Sequence, residues 1–132
     1  MSAISTHVLD TAAGCPAAGV RVRLERVTAA GDGAAGQGVA PAAEQIAAAS
    51  TDADGRIASL GPEAIPAGTY RLVFDTGGYL ARQRATSSTG TGSTENAPFF
   101  PEVTITFAVA EGEHYHVPLL LSPFGYSTYR GS

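Results

Sequence analysis

The segment at residues 114–121, HYHVPLLL, constrains the fold more than any other part of the chain. In a β-strand, successive side chains point to opposite faces, so one face begins with His114 and His116 and the other with Tyr115 and Val117. Both faces are at least partly apolar, whereas an antiparallel strand at a surface is apolar on one face only. One face can fill the core of the protomer, and we expect a second subunit to cover the other.

Short strands separated by turn residues indicate an all-β fold. The 132 residues include 16 Gly and 8 Pro, spread along the chain as punctuation. Strand patterns occur at residues 4–9, 20–24, 44–51, 68–75 and 103–109, and one or two helical turns are expected at 77–84. A loose connection is expected at 29–42 and a mobile surface loop at 84–98. The pattern predicts a single domain over residues 1–132, a two-sheet β-sandwich in which residues 103–109 form a hairpin with the histidine-bearing strand.

Composition excludes several classes of partner. The net charge is −4 and all eight basic residues are scattered arginines, which argues against nucleic acid and anionic membranes. No window approaches the ~18 apolar residues of a membrane span, and the N-terminus lacks the features of a signal peptide. Cys15 is the only cysteine, so a reducing cytoplasm is expected. Charged residues make up only 15% of the chain, against roughly 25% in a typical soluble domain, which favours an oligomer.

The histidines and one arginine are the best candidates for chemistry. His114 and His116 share one face of a strand, and His7 lies near the opposite terminus, where a neighbouring strand could bring it close. Arg56 follows the tight turn DADG. Two interpretations remain open at this point. The histidines could ligate zinc, or a neutral imidazole could activate water while the arginine stabilises an oxyanion without any metal.

The motifs at both ends of the chain resemble those of the 5-hydroxyisourate hydrolases, the transthyretin-related enzymes of purine breakdown. The resemblance rests on STHVLDT at residues 5–11, TDADGR at 51–56, AGTYRLVFD at 67–75, HYHVP at 114–118 and YSTYRGS at 126–132. The closing YRGS separates these hydrolases from transthyretin, which also lacks the histidine pair. The resemblance spans the whole chain and implies a transthyretin-like sandwich of two four-stranded sheets with one short helix.

The resemblance also implies an assembly and a site. It implies a homotetramer whose active sites lie at the interface between dimers, with no cofactor and no metal. The catalytic set becomes His7, Arg56 and His116, and His114 is expected to be a solvated residue outside it. The substrate would be 5-hydroxyisourate, whose ring amide is opened in urate degradation, and the alternative is a transthyretin-like carrier of a small ligand without catalysis.

The last four residues are expected to shape the substrate pocket. They are Tyr129, Arg130, Gly131 and Ser132, the last acting through its hydroxyl or its terminal carboxylate.

Overall fold

The computed structural model describes residues 3–28, 42–86 and 98–131. Most of the connection expected at 29–42, most of the loop expected at 84–98, and Ser132 lie outside these residues. The described residues contain nine strands and one helix. In chain order they are β1 (Ile4–Asp10), β2 (Cys15–Pro16), β3 (Arg21–Thr28), β4 (Ala42–Ser50), β5 (Arg56–Leu60), β6 (Gly68–Phe74), α1 (Thr76–Thr86), β7 (Val103–Val109), β8 (Tyr115–Ser122) and β9 (Gly125–Thr128).

Two sheets pack face to face, which confirms the predicted sandwich. The first sheet has the order β2-β1-β8-β9, and β5 also pairs with β1. The second has the order β4-β3-β6-β7. The first sheet therefore has five strands rather than the expected four, because the two-residue β2 shares one edge of β1 with β5. No helix among the described residues is long and apolar enough to cross a membrane.

The expected hairpin between β7 and the histidine-bearing strand is wrong. Strand β7 pairs with β6 in the second sheet, whereas β8 belongs to the first sheet. The residues between them, 110–114, carry the chain from one sheet to the other. Strand β8 instead lies parallel to β1, in a register that sets Ser5 opposite His116 and His7 opposite Pro118. The first strand of the chain and its last long strand are therefore direct neighbours.

The core confirms the two faces predicted for β8. Tyr115, Val117, Leu119 and Leu121 are buried among the inward residues of both sheets. Each large aliphatic side chain buried in this way contributes roughly 1.5–3 kcal/mol to stability. Because side chains alternate along a strand, His116 and the neighbouring Pro118 lie on the outer face of the first sheet.

The helix lies close to its expected position and is tied to β1. It begins after Asp75, whose Oδ1 accepts a hydrogen bond from the backbone N–H of Gly78 at 3.1 Å, as an N-cap residue does. The hydroxyl of Tyr79 donates to Oδ2 of Asp10 at 2.8 Å. Burial, followed by this hydrogen bond, raises the pKa of the Tyr79 phenol. The contact fixes the end of β1 and hence the strand that carries His7.

Candidate active site

Three strands bring the predicted catalytic residues together on one surface. His7 of β1 lies directly opposite Arg56 of β5, and residues paired in this way share a face of the sheet. Ser5, two residues before His7, is paired with His116 of β8. We call this outer surface of the first sheet, bearing Ser5, His7, Arg56 and His116, the histidine face.

A buried serine joins two of the imidazoles. Oγ of Ser5 lies 2.8 Å from Nδ1 of His116 and 3.0 Å from Nε2 of His114. Ser5 is 8% exposed, so these ring nitrogens rather than bulk water surround its hydroxyl. Sequence reasoning missed Ser5 and set His114 aside. Strand alternation could have indicated Ser5, because residues 5 and 7 are two positions apart in a strand and therefore share a face.

A tight turn positions both His7 and Arg56. Oδ1 of Asp52 accepts hydrogen bonds from the backbone N–H groups of Asp54 at 2.8 Å and Arg56 at 3.0 Å. The bond from Arg56 is the main cause that lowers the pKa of the Asp52 carboxyl. Gly55 has φ of 75°, and a Cβ there would lie 2.4 Å from the carbonyl oxygen of Val8. Only glycine therefore allows this turn to pack against β1.

The same turn fixes the protonation pattern of His7. Nε2 of His7 lies 3.0 Å from the carbonyl oxygen of Asp54. A carbonyl oxygen only accepts, so Nε2 of His7 carries a proton. In the neutral ring, Nδ1 is then the nitrogen with a free lone pair and can accept a hydrogen bond from water.

The environment of His116 favours its neutral form. Burial lowers the pKa of His116, and the positive charges of Arg56, His7 and His114 lower it further. A neutral imidazole can accept a proton, which a protonated one cannot. Among the described residues, Nε2 of His116 makes no hydrogen bond, whereas Nδ1 is held by Ser5. Nε2 is therefore the nitrogen available to a water molecule or a substrate.

The C-terminal tail returns to His116. The backbone N–H of Gly131 donates to the carbonyl oxygen of His116 at 2.8 Å, in an isolated antiparallel bridge. A Cβ at position 131 would lie 2.5 Å from Cδ2 of the His116 ring. The tail thus packs directly on the imidazole because residue 131 has no side chain. Ser132, expected to complete the pocket, lies outside the described residues.

Tyr129 and Arg130, the two residues before Gly131, have contacts that differ from those of Gly131. The Arg130 guanidinium lies 4.5 Å from the ring centroid of Tyr115, a core-facing side chain, and pairs with Glu113 at 3.0 Å. Tyr129 and Arg130 line a cavity of about 320 Å³ whose walls come from β7, β8 and β9. On β8 this cavity is lined by Tyr115 and Val117, the core-facing residues on either side of His116, and His116 is not among its lining residues.

A metal centre has little support in the geometry. Within residues 3–28, 42–86 and 98–131, no group of three or more His, Cys, Asp or Glu side chains is arranged to hold a metal ion. The face combines one neutral imidazole, a second imidazole with a lone pair, and a guanidinium. This set can remove a proton from water and stabilise an oxyanion.

The chain is similar along almost its whole length to proteins of one known family. The model of the HIUase/Transthyretin family matches residues 4–131. The 5-hydroxyisourate hydrolase of Mesorhizobium japonicum is 47% identical over 131 residues, which is 98% of this chain and 91% of that protein.

Solved structures similar to this chain include a 5-hydroxyisourate hydrolase and a transthyretin. The 5-hydroxyisourate hydrolase of Klebsiella pneumoniae superposes with a TM-score of 0.73 at 37% identity, and the two chains cover each other fully. Transthyretin from Sparus aurata superposes with a TM-score of 0.76 at 32% identity, covering 99% of this chain and 97% of that one. Backbone similarity alone does not distinguish the two activities, since a fold hosts more than one function.

Proposed function

The chain belongs to the HIUase/Transthyretin family, and we propose that it is a 5-hydroxyisourate hydrolase whose catalytic residues are His7, Arg56 and His116. The curated relative at 47% identity carries that name. The observation that carries the proposal is the histidine face itself, where a neutral imidazole lies beside a guanidinium. A carrier that only binds a small ligand has no need for a proton acceptor at this position.

His116 is proposed as the general base. Ring opening requires water to attack an amide carbonyl, and water at neutral pH is a poor nucleophile. A positioned imidazole that accepts the water proton during attack accelerates such a step by roughly 10²–10⁴-fold. The lowered pKa of His116 keeps the ring neutral and its Nε2 ready to accept. His7, whose Nδ1 has a lone pair, positions the same water.

Arg56 is proposed to bind the substrate and stabilise charge. Among the described residues, no carboxylate lies within ion-pair distance of its guanidinium, and the Asp52 carboxylate is occupied by backbone N–H groups. A planar guanidinium can hold a carbonyl or an anionic edge of a planar substrate through two parallel hydrogen bonds. The same donors offset the negative charge that develops on the attacked carbonyl oxygen.

The proposed assembly is a homotetramer with sites at the interface between dimers. The outer face of the first sheet carries partly exposed Leu9 and Leu120, paired next to each other, beyond His7. Apolar side chains around a polar centre are typical of a surface that another subunit covers. Such a cover would also bring groups from a second chain to each site. We expect the assembled enzyme to function in the cytoplasm.

An ultraviolet absorbance assay tests the proposal. 5-Hydroxyisourate is generated in place from urate, and its decay is followed with and without the purified protein. We expect the protein to accelerate the decay at catalytic concentration, with full activity after chelator treatment and dialysis. Decay at the uncatalysed rate, together with saturable binding of a small aromatic ligand, would instead support a carrier. Activity that the chelator removes and zinc restores would support a metal-dependent enzyme.

A further inference from the structure

We propose that Ser5 and His114 form a proton relay that serves His116, so that His114 is a functional part of the site. The inference rests on the proposed hydrolase activity and adds two positioning residues to it. Its basis is the continuous chain from Nδ1 of His116 to Oγ of Ser5 at 2.8 Å and on to Nε2 of His114 at 3.0 Å. Both distances are within the range of ordinary hydrogen bonds.

A serine hydroxyl between two ring nitrogens can transmit a proton in either direction. It has one donor and two lone pairs, so it can donate to one imidazole while it accepts from the other. When Ser5 donates to His114, Nδ1 of His116 is the protonated nitrogen and its Nε2 is a base. When the hydroxyl turns to donate to His116, Nε2 of His116 carries the proton instead, and the ring is the other neutral tautomer. The chain can therefore interchange the two tautomers of His116 and return to the ring the proton that the leaving nitrogen needs.

The charges at the two ends give the relay a direction. At the inner end, His116 is surrounded by Arg56 and His7, and burial adds to the cost of a positive charge there. At the outer end, exposed His114 lines a cavity of about 230 Å³ together with Glu63 and Glu113. Glu113 is partly offset by Arg130, which pairs with it at 3.0 Å. Cationic groups therefore lie at the His116 end of the chain and carboxylates at the His114 end.

Each proton transfer along the relay breaks one bond to hydrogen and forms another. An O–H bond of the attacking water breaks and an N–H bond forms at Nε2 of His116. The Nδ1 proton of His116 passes to Oγ of Ser5, while the hydroxyl proton of Ser5 passes to Nε2 of His114. The net positive charge thus moves from His116 to His114. The reverse transfer returns a proton to His116, from which Nε2–H protonates the leaving ring nitrogen.

Two variants separate proton transfer from support of the local structure. Ser5→Ala breaks the chain, whereas His114→Gln keeps an amide that can hydrogen-bond to Ser5 but cannot take up a proton. We expect each to lower kcat at least about tenfold with a smaller effect on KM, and the double variant to be no slower than Ser5→Ala. We expect the dependence of kcat on the deuterium fraction of H₂O–D₂O mixtures to be curved for the wild type, as when several protons move in one step. For His114→Gln it should be linear, as when a single proton moves. Glu111→Gln, in the exposed turn before β8, is the matched control.

Two outcomes would overturn the relay. One is a His114→Gln enzyme within about twofold of the wild-type kcat, since loss of a real proton acceptor costs more than that. The other is an unchanged isotope response in Ser5→Ala. If the wild type itself is inactive on 5-hydroxyisourate, the proposed function fails and the relay is examined alone by ¹⁵N NMR of the imidazoles. Ser5→Ala should then change the tautomer of His116 and uncouple its titration from that of His114, and Ser5→Thr should restore both.

Discussion

The outer faces of the two sheets differ in whether their charged side chains form ion pairs. On the second sheet, Glu25 accepts hydrogen bonds from Nε of Arg71 at 2.7 Å and from Nε of Arg23 at 3.1 Å. The hydrogen bond from Arg71 is the main cause that lowers the pKa of the Glu25 carboxyl. We call these three residues the ion-paired face. Both arginines share the one carboxylate, so each of the three residues has an ion-pair partner on the same two strands, β3 and β6.

Among the described residues the histidine face lacks such an ion pair, and the Asp52 carboxylate, which interacts electrostatically with Arg56 and His7, is held by backbone N–H groups. Arg56, His7 and His116 repel one another when charged, and within the described residues no carboxylate forms an ion pair with Arg56. A face whose charged groups are paired needs no further charged partner, whereas a guanidinium and imidazoles without an ion pair favour binding of an electron-rich ligand. We therefore propose that the first sheet carries the catalytic surface of the sandwich and that the ion-paired face of the second sheet has a structural role. Substitutions on each face should have separable effects.

The largest effect is expected when the base is removed from the histidine face. His116→Ala should lower kcat for 5-hydroxyisourate by about 10²–10⁴-fold, because no other group then accepts the water proton from the same position. Absorbance decay measures the rate, and analytical ultracentrifugation measures the assembly, which should be unchanged. Turnover near the wild-type level in an intact assembly would remove His116 from the mechanism.

The fold was predictable where local pattern decides it. Alternation and β-branched residues at 103–109 predicted β7 with its observed bounds, and Gly55 in DADG predicted a turn before Arg56. The partner of β7 was not predictable. A short turn between two strands favours a hairpin locally, but burying both inner faces required residues 110–114 to change sheets. Strand pairing depends on how residues distant in sequence pack into one core, and a short stretch of sequence does not specify that packing.

The site was predictable only in part for the same reason. Residue type and family resemblance predict His7, Arg56 and His116 as the catalytic residues, whereas the placement of these residues on one face depends on the pairing of β1 with β5 and β8. Ser5 carries no chemical signal of its own in the sequence. Its role follows from a register that sets it opposite His116, and register is a property of the assembled sheet.

The next largest effect is expected at Arg56. Arg56→Gln should lower kcat/KM about 10²–10³-fold, since a donor to the developing oxyanion is lost. Arg56→Lys should recover little, because an ammonium is a point charge without the planar fork. Steady-state kinetics on 5-hydroxyisourate checks both variants. Recovery by lysine to the wild-type level would mean that charge alone, and not bidentate geometry, is required.

Arg56→Gln also predicts a change in the pH profile. His116 must be neutral to act as a base, so activity should fall as the pH drops through its pKa. Burial and Arg56 lower that pKa, which places the acid limb of kcat/KM below the ordinary histidine value of about 6.5. Without Arg56, the pKa rises and the limb should move to higher pH. A limb that stays in place would show that Arg56 does not act on His116.

A smaller loss is expected from a methyl group on the C-terminal tail. Gly131→Ala would place a Cβ 2.5 Å from the His116 ring, so the tail or the imidazole must move. Displacement of a catalytic group by about 1 Å can cost up to about 10²-fold, and we expect kcat to fall within that range. Gly125→Ala is the matched control, because its Cβ would meet only Ser122 Oγ at 3.6 Å. Equal rates in the two variants would contradict a role for the tail in positioning His116.

The smallest effect on activity is expected on the ion-paired face. Glu25→Gln keeps the shape of the side chain but leaves Arg23 and Arg71 without their shared carboxylate, and that side chain is only 12% exposed. Loss of such a partner lowers the free energy of unfolding by about 1–3 kcal/mol, whereas kcat should stay at the wild-type value because the site lies on the other sheet. Urea denaturation measures the first quantity and the absorbance assay the second.

The stabilisation that Glu25 contributes should depend on pH. A lowered carboxyl pKa stabilises the folded state above the unfolded value of about 4.3, and this contribution is lost as the pH falls through the folded value. The stability difference between wild type and Glu25→Gln should therefore be present at neutral pH and shrink in acid. If kcat instead fell with the stability unchanged, the two faces would be coupled, and the division between a structural and a chemical sheet would be wrong.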